Sequence, residues 1–106
     1  MLLYGLRNCD ACRKALKELG DVEFRDVRED GVPGEVYEQA FAQLGKRLIN
    51  TRSTTWRGLS ADEQEMDPVQ LLVKYPTVMK RPLIQYGETF HVGWTPEVKA
   101  KVMPAS

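Results

Sequence analysis

Two cysteines and one histidine are all the thiol and imidazole ligands that 106 residues contain. A structural zinc site needs about four ligands, so no metal centre is expected. Net charge is missing too: fifteen basic side chains face fifteen acidic ones. A chain without an overall field lacks the long-range pull toward nucleic acid or an anionic membrane, and neither is expected as a partner. No apolar run approaches the ~20 residues that cross a bilayer, and the N-terminus carries no basic leader followed by an apolar stretch. A soluble, monomeric, cytoplasmic chain is the expectation. Repeats and low-complexity tracts are absent as well, and the length suits one domain around one core, residues 1–106.

What is present is organised around Asn8-Cys9-Asp10-Ala11-Cys12-Arg13-Lys14. Before this C-x-x-C step lies the strand-like run Leu2-Leu3-Tyr4-Gly5-Leu6. After it Cys12, Ala15, Leu16 and Leu19 fall at i, i+3, i+4 and i+7, the apolar stripe of a helix, and Gly20 is placed to stop it. Cys9 therefore falls where a strand hands over to a helix N-terminus, among unpaired N–H groups and the positive end of the helix dipole. A thiol there ionises more readily than a free one, whose pKa is about 8.5. Cys12 has two readings: a small apolar residue completing the stripe, or a second thiol that exchanges a disulfide with Cys9. In a reducing compartment a C-x-x-C is catalytic, redox-sensing or metal-binding more often than it is a permanent staple.

Taken in order, Leu2–Leu6 and Val22–Val27 flank the first helix, a β-α-β start that makes the two strands parallel. Asp30-Gly31-Val32-Pro33 leads into a second helix whose stripe is Tyr37, Ala40, Phe41 and Leu44, with Gly45 closing it. From Lys46 to Gly58 the pattern blurs, and Lys46, Arg47, Arg52 and Arg57 suggest either an anion-binding surface or a solvated loop. Ser60-Ala61-Asp62-Glu63 is a capping box, and Asp67-Pro68 opens another short helix. A helical insertion of about 33–76 thus precedes the hairpin Leu83–Tyr86, Gly87-Glu88, Thr89–Val92 and a last helix capped by Thr95-Pro96-Glu97. His91, alternating with Phe90 and Val92, reads as an ordinary strand residue. A β-α-β start, helical insertion, β-hairpin and C-terminal helix form the order of an α/β, thioredoxin-like mixed sheet.

Three blocks carry a resemblance that covers nearly the whole chain: Tyr4-Gly5-Leu6-Arg7-Asn8-Cys9-Asp10, Asn50-Thr51-Arg52 with Thr54-Thr55-Trp56-Arg57, and Lys80-Arg81-Pro82-Leu83-Ile84. Together they resemble the arsenate reductase (ArsC) family with its YffB and Spx branches, and the ending Val92-Gly93-Trp94-Thr95-Pro96-Glu97 is similar to that of YffB. The resemblance implies that Cys9 is the nucleophile, with Cys12 as its dithiol partner. It also implies that Arg13, Arg52 and Arg81 hold an anion, and that Pro82 stands where thioredoxin-like folds place a cis-proline opposite the reactive cysteine. Guanidinium groups suit that task because they stay charged and grip oxyanions bidentately.

Two departures bear on substrate. Glutathione-dependent arsenate reductases use a further arginine just after the hairpin, where this chain has Val92-Gly93-Trp94-Thr95, and they lack the second cysteine that Spx carries. Two expectations follow. The first is a thiol-dependent reductase in which Cys9 attacks an oxyanion or disulfide and glutathione or Cys12 resolves the adduct, with no bound cofactor. The second is a Spx-like redox sensor that docks on RNA polymerase.

Overall fold

The first strand carries its apolar run into the middle of the sheet. In the computed structural model, which describes residues 1–103, Leu2–Gly5 (β1) leads through helix Asp10–Leu19 (α1) to strand Glu23–Asp26 (β2). The expected domain of 1–106 runs past this, and its last three residues lie outside the described ones. β1 and β2 are parallel, with Leu3 beside Phe24 and Gly5 beside Asp26, as a helical crossover requires. Helix Gly34–Leu44 (α2) and a 3-10 turn at Gly45–Leu48 follow. The short helices Thr54–Arg57 (α3) and Ala61–Gln64 (α4), helix Pro68–Lys74 (α5) and a 3-10 turn at Pro76–Val78 complete the helical stretch. The chain returns as the hairpin Leu83–Tyr86 (β3) and Thr89–Val92 (β4), then closes with helix Pro96–Val102 (α6). The sheet order is β2-β1-β3-β4, with β3 antiparallel to both of its neighbours. This is the thioredoxin-like α/β arrangement.

Strand alternation divides the core between the two faces of the sheet. Leu3 and Ile84 point to one face, where Cys12 and Ala15 of α1 and Val98 and Val102 of α6 cover them. Tyr4 and Leu83 point to the other, beneath Tyr37, Ala40 and Leu44 of α2 and Leu72 of α5. Each fully buried leucine or isoleucine contributes on the order of 2 kcal/mol relative to exposure. Helix ends follow local chemistry. Gly20 and Gly45 take positive φ past α1 and α2, and Ser60 and Glu63 form the expected capping box. Asp67 and Thr95 accept amides of α5 and α6 through their side chains.

The boundaries differ where burial and pairing part company. Leu6, Val22 and Val27 continue the apolar runs but lie outside the strands, and Leu6 O accepts from Cys9 N at 3.2 Å to begin the turn. Pro33 is the N-cap of α2 rather than its first residue. The blurred stretch is pinned by backbone: Ile49 bridges to Met79, Asn50 N donates to Val78 O (2.8 Å), and Lys80 N donates to Leu48 O (2.7 Å).

Strand β4 lies at the edge of the sheet, and Gln43 of α2 occupies its free groups. Its Nε2 donates to Glu88 O and its Oε1 accepts from Phe90 N, both at 2.8 Å. Gln43→Ala is expected to cost about 1 kcal/mol for the lost pair. The urea midpoint should fall at unchanged slope, with faster hydrogen exchange at the Phe90 amide.

Asp26, a buried carboxylate at the end of β2, accepts from Arg28 N (2.8 Å) and Glu29 N (3.0 Å) through Oδ1. Burial opposes its ionisation, but the Glu29 and Arg28 amides outweigh burial and hold the acid below its ordinary value. A depressed folded value stabilises the protein above the unfolded value of about 3.9, and the contribution drains away as pH falls through the folded value. Urea midpoints measured from neutral to acid pH should therefore fall less steeply below pH ~4 in Asp26→Asn than in the parent.

Candidate active site

Cys9 is the N-cap of α1, with extended backbone, and it lines an open cavity. Its carbonyl accepts from Arg13 N at 2.9 Å. Both cysteines are free thiols, Cys9 half-buried and Cys12 fully buried. Burial resists ionisation of Cys9, yet the Cys12 amide, the Cys12 thiol and the Arg81 guanidinium together prevail and hold the thiol below its ordinary value. Cys12 goes the other way. Burial, reinforced by Cys9 alongside and only partly offset by the Leu6 amide, pushes it up to about 12. Of the two readings of Cys12, the packing one describes its place: it is a fully buried core residue covering Leu3 and Ile84. Gly5 makes the room, because a methyl group there would land on the Cys12 sulfur.

Cys9 faces a cavity of about 370 Å³. Arg28, Arg52 and Arg81 line it from three separate segments, with the hydroxyl-bearing Ser53, Thr54, Thr55 and Thr77 between them. The Arg81–Pro82 peptide is cis, and Pro82 is fully buried. Nη1 of Arg81 donates to Thr77 O at 2.9 Å, while its Nε is buried without a protein partner. Arg52 sits in a turn where Asn50 Oδ1 accepts its amide at 3.0 Å, and Ser53 next to it caps α3 by accepting from Trp56 N. Thr55 Oγ1 and Thr77 Oγ1 meet at 2.6 Å, fastening α3 to the segment before Arg81.

The expected site residues do not all converge. Cys9, Arg52 and Arg81 share the cavity, with Cys12 directly behind Cys9. Arg13 is a correction: its exposed Nε donates to Arg7 O at 2.8 Å, and the residue does not line the cavity. A position one turn into α1, past Cys9, sends a long side chain back along the helix toward the preceding loop. Of the four basic residues in the blurred stretch, Arg47 and Arg52 line a second, neighbouring groove, whereas Lys46 borders a different cleft and Arg57 lines neither. His91 stands apart on β4, lining a surface hollow with Tyr86 and Lys101. Arg28 went unread in the sequence, though topology contains the signal. Parallel β1 and β2 end at the same edge, so the residues after Asp26 must stand beside those after Gly5. Among the described residues no three metal-binding side chains come together.

A thiol at a helix start, backed by a buried second thiol and facing a cavity walled by guanidinium groups, sits on a sheet of the thioredoxin-like class. The chain belongs to the ArsC family, whose model matches residues 4–102. It is 42% identical over 93 residues to an uncharacterized protein of Haemophilus influenzae, spanning 77% of this chain and 80% of that one. The solved structure of a YFFB protein superposes with a TM-score of 0.87 at 27% identity, covering 97% of this chain and 98% of the other. An arsenate reductase (ArsC) related protein from Brucella melitensis gives 0.69 at 27% identity over 97% and 94% of the two chains. The arsenate reductase from Vibrio cholerae, at 16% identity and a TM-score of 0.75 over 96% of each chain, shares the fold.

Arg81→Ala removes a positive charge beside the Cys9 sulfur, and so favours the protonated thiol. Thiolate absorbance followed against pH should show the Cys9 titration moving upward in Arg81→Ala and upward also in Cys12→Ala. An unmoved titration in both variants would contradict the account of how this sulfur is activated.

Proposed function

We propose that this protein is a thiol-dependent reductase in which Cys9 is the nucleophile. The observation that carries the reading is the half-buried Cys9 sulfur at a helix start, opening onto a cavity of about 370 Å³ with three guanidinium groups on its wall. In the first step the Cys9 thiolate attacks a sulfur of a disulfide, or the central atom of an oxyanion. Its lone pair forms the new bond, and the leaving thiolate, or a protonated oxygen leaving as hydroxide or water, departs with the electrons of the broken one. Arg28, Arg52 and Arg81 offset the charge of an anionic substrate, which would otherwise repel the thiolate. For a disulfide, an external thiolate then attacks the substrate-derived sulfur of the adduct, Cys9 leaves as its thiolate, and a new disulfide departs. For an oxyanion, one external thiolate attacks the Cys9 sulfur, and the central atom leaves with the electron pair of its bond to that sulfur. A second external thiolate opens the resulting disulfide and frees Cys9, so that two external thiols supply the two electrons.

The choice of second thiol follows from access. Cys12 is fully buried in the core and burial pushes its thiol up, so it meets the adduct as a protonated, enclosed group. An external thiol such as glutathione, which approaches through the open cavity, is the resolving partner in this reading. The alternative of a redox sensor docking on RNA polymerase draws on the paired cysteines, but it gives the arginine-lined cavity no task.

Incubation with oxidised glutathione followed by mass spectrometry tests the reading. A single glutathione adduct is expected on Cys9, retained in Cys12→Ser and absent in Cys9→Ser, with glutathione-coupled turnover lost by at least ~10³-fold in the latter. An internal Cys9–Cys12 disulfide with no adduct would favour the sensor, whose retention of RNA polymerase from extract under oxidising conditions is then the deciding measurement.

A further inference from the structure

A cleft of about 300 Å³ opens within the helical insertion, and none of its lining residues belongs to the Cys9 cavity. Its walls are mostly apolar: Ile49 of the bridged segment, Trp56 of α3, Met66, and Pro68 and Leu71 of α5. Leu71 is buried, and the other four are half-buried. A space at the small end of the range for ligand sites, about 300–1,000 Å³, takes a compact ring in preference to a long acyl chain.

The polar groups at this cleft point to the other half of a ligand. Lys46 supplies its one charge, no carboxylate lines it, and Lys46 enters no salt bridge among the described residues. The Trp56 indole N–H has no protein acceptor among the described residues, whereas the indole of Trp94 donates to Glu18 at 2.7 Å. Gln64 is already committed, since its Nε2 donates to Trp56 O at 3.0 Å and ties α4 to α3. Donors in want of acceptors beside an apolar wall suit a molecule with a carboxylate at one end and apolar surface at the other. An indole and a thioether favour an aromatic body, and a single ammonium group favours a single carboxylate.

We propose that this cleft binds a small aromatic carboxylate, its ring against Trp56 and Met66 and its carboxylate on Lys46. The site stands independently of the reductase reading.

Proton–nitrogen spectra of the labelled full chain test the proposal, because the two tryptophans give two indole N–H signals that Trp56→Phe assigns. Phenylpropanoate is the probe, phenylpropanol its uncharged counterpart and octanoate the acyl control. The Trp56 signal should move saturably with phenylpropanoate while the Trp94 signal stays in place. Phenylpropanol should bind about threefold to fivefold more weakly, the range of one exposed ion pair, and octanoate more weakly than phenylpropanoate. Lys46→Ala should bring the acid down to the affinity of the alcohol and leave the alcohol unchanged, whereas Met66→Ala should weaken both alike. An unmoved Trp56 signal, or a Trp94 signal that moves in step with it, would overturn the site. A preference for the acid that survives Lys46→Ala would overturn the role of Lys46, and octanoate matching phenylpropanoate would overturn the aromatic class.

Discussion

Everything in this molecule that bears on chemistry depends on a contest at one sulfur. Half-burial of Cys9 makes its anion costly, and three groups aimed at it make that anion favourable: an amide, a thiol and a guanidinium. Two of the three come from Cys12, which can supply them only because it is sealed in the core against Leu3, Ala15 and Ile84. Its own titration near 12 is the other side of the same arrangement, since a neighbour that stays protonated can keep donating. Gly5 belongs to this balance as well, because the space left by its missing side chain is where the Cys12 sulfur sits.

The scaffold converts that local balance into a site by bringing three distant parts of the chain to one edge. β1 delivers Cys9, the turn after β2 delivers Arg28, and the segment before β3 delivers Arg81. Arg52 arrives by a different device, a single bridge between Ile49 and Met79. Helix α3 then locks the arrangement through the Thr55–Thr77 contact. Across the sheet, Glu18 of α1 accepts from Trp94 Nε1 at 2.7 Å and pairs with Lys99 at 3.1 Å, holding α6 against the helix that begins at Cys9.

Much of this was legible in the sequence where local chemistry and periodicity agree. The stripe Cys12, Ala15, Leu16, Leu19 with Gly20 behind it specified α1, and Gly87 between alternating runs specified the hairpin. Position as a cap was legible too, which is why Cys9 was placed correctly at a helix start. The stretch around Ile49 resisted because its order comes from backbone bonds to Val78 and Lys80, partners some thirty residues away that leave no periodic trace. Arg28 was hidden for a related reason, since its relevance lies in the parallel pairing of the two strands and not in its neighbours. Arg13 misled because matching a basic residue to a motif says nothing about where its long side chain points, and here that is the Arg7 carbonyl.

The side chain of Gln43 against Glu88 and Phe90 has a meaning beyond the stability of one hairpin. An amide side chain offers the same donor and acceptor as a peptide unit, so to β4 it is a one-residue imitation of a further strand. Exposed sheet margins are where foreign chains add on and fibrils begin. On this side the first docking position is already filled from within, and an intruding segment must dislodge Gln43 before it can pair.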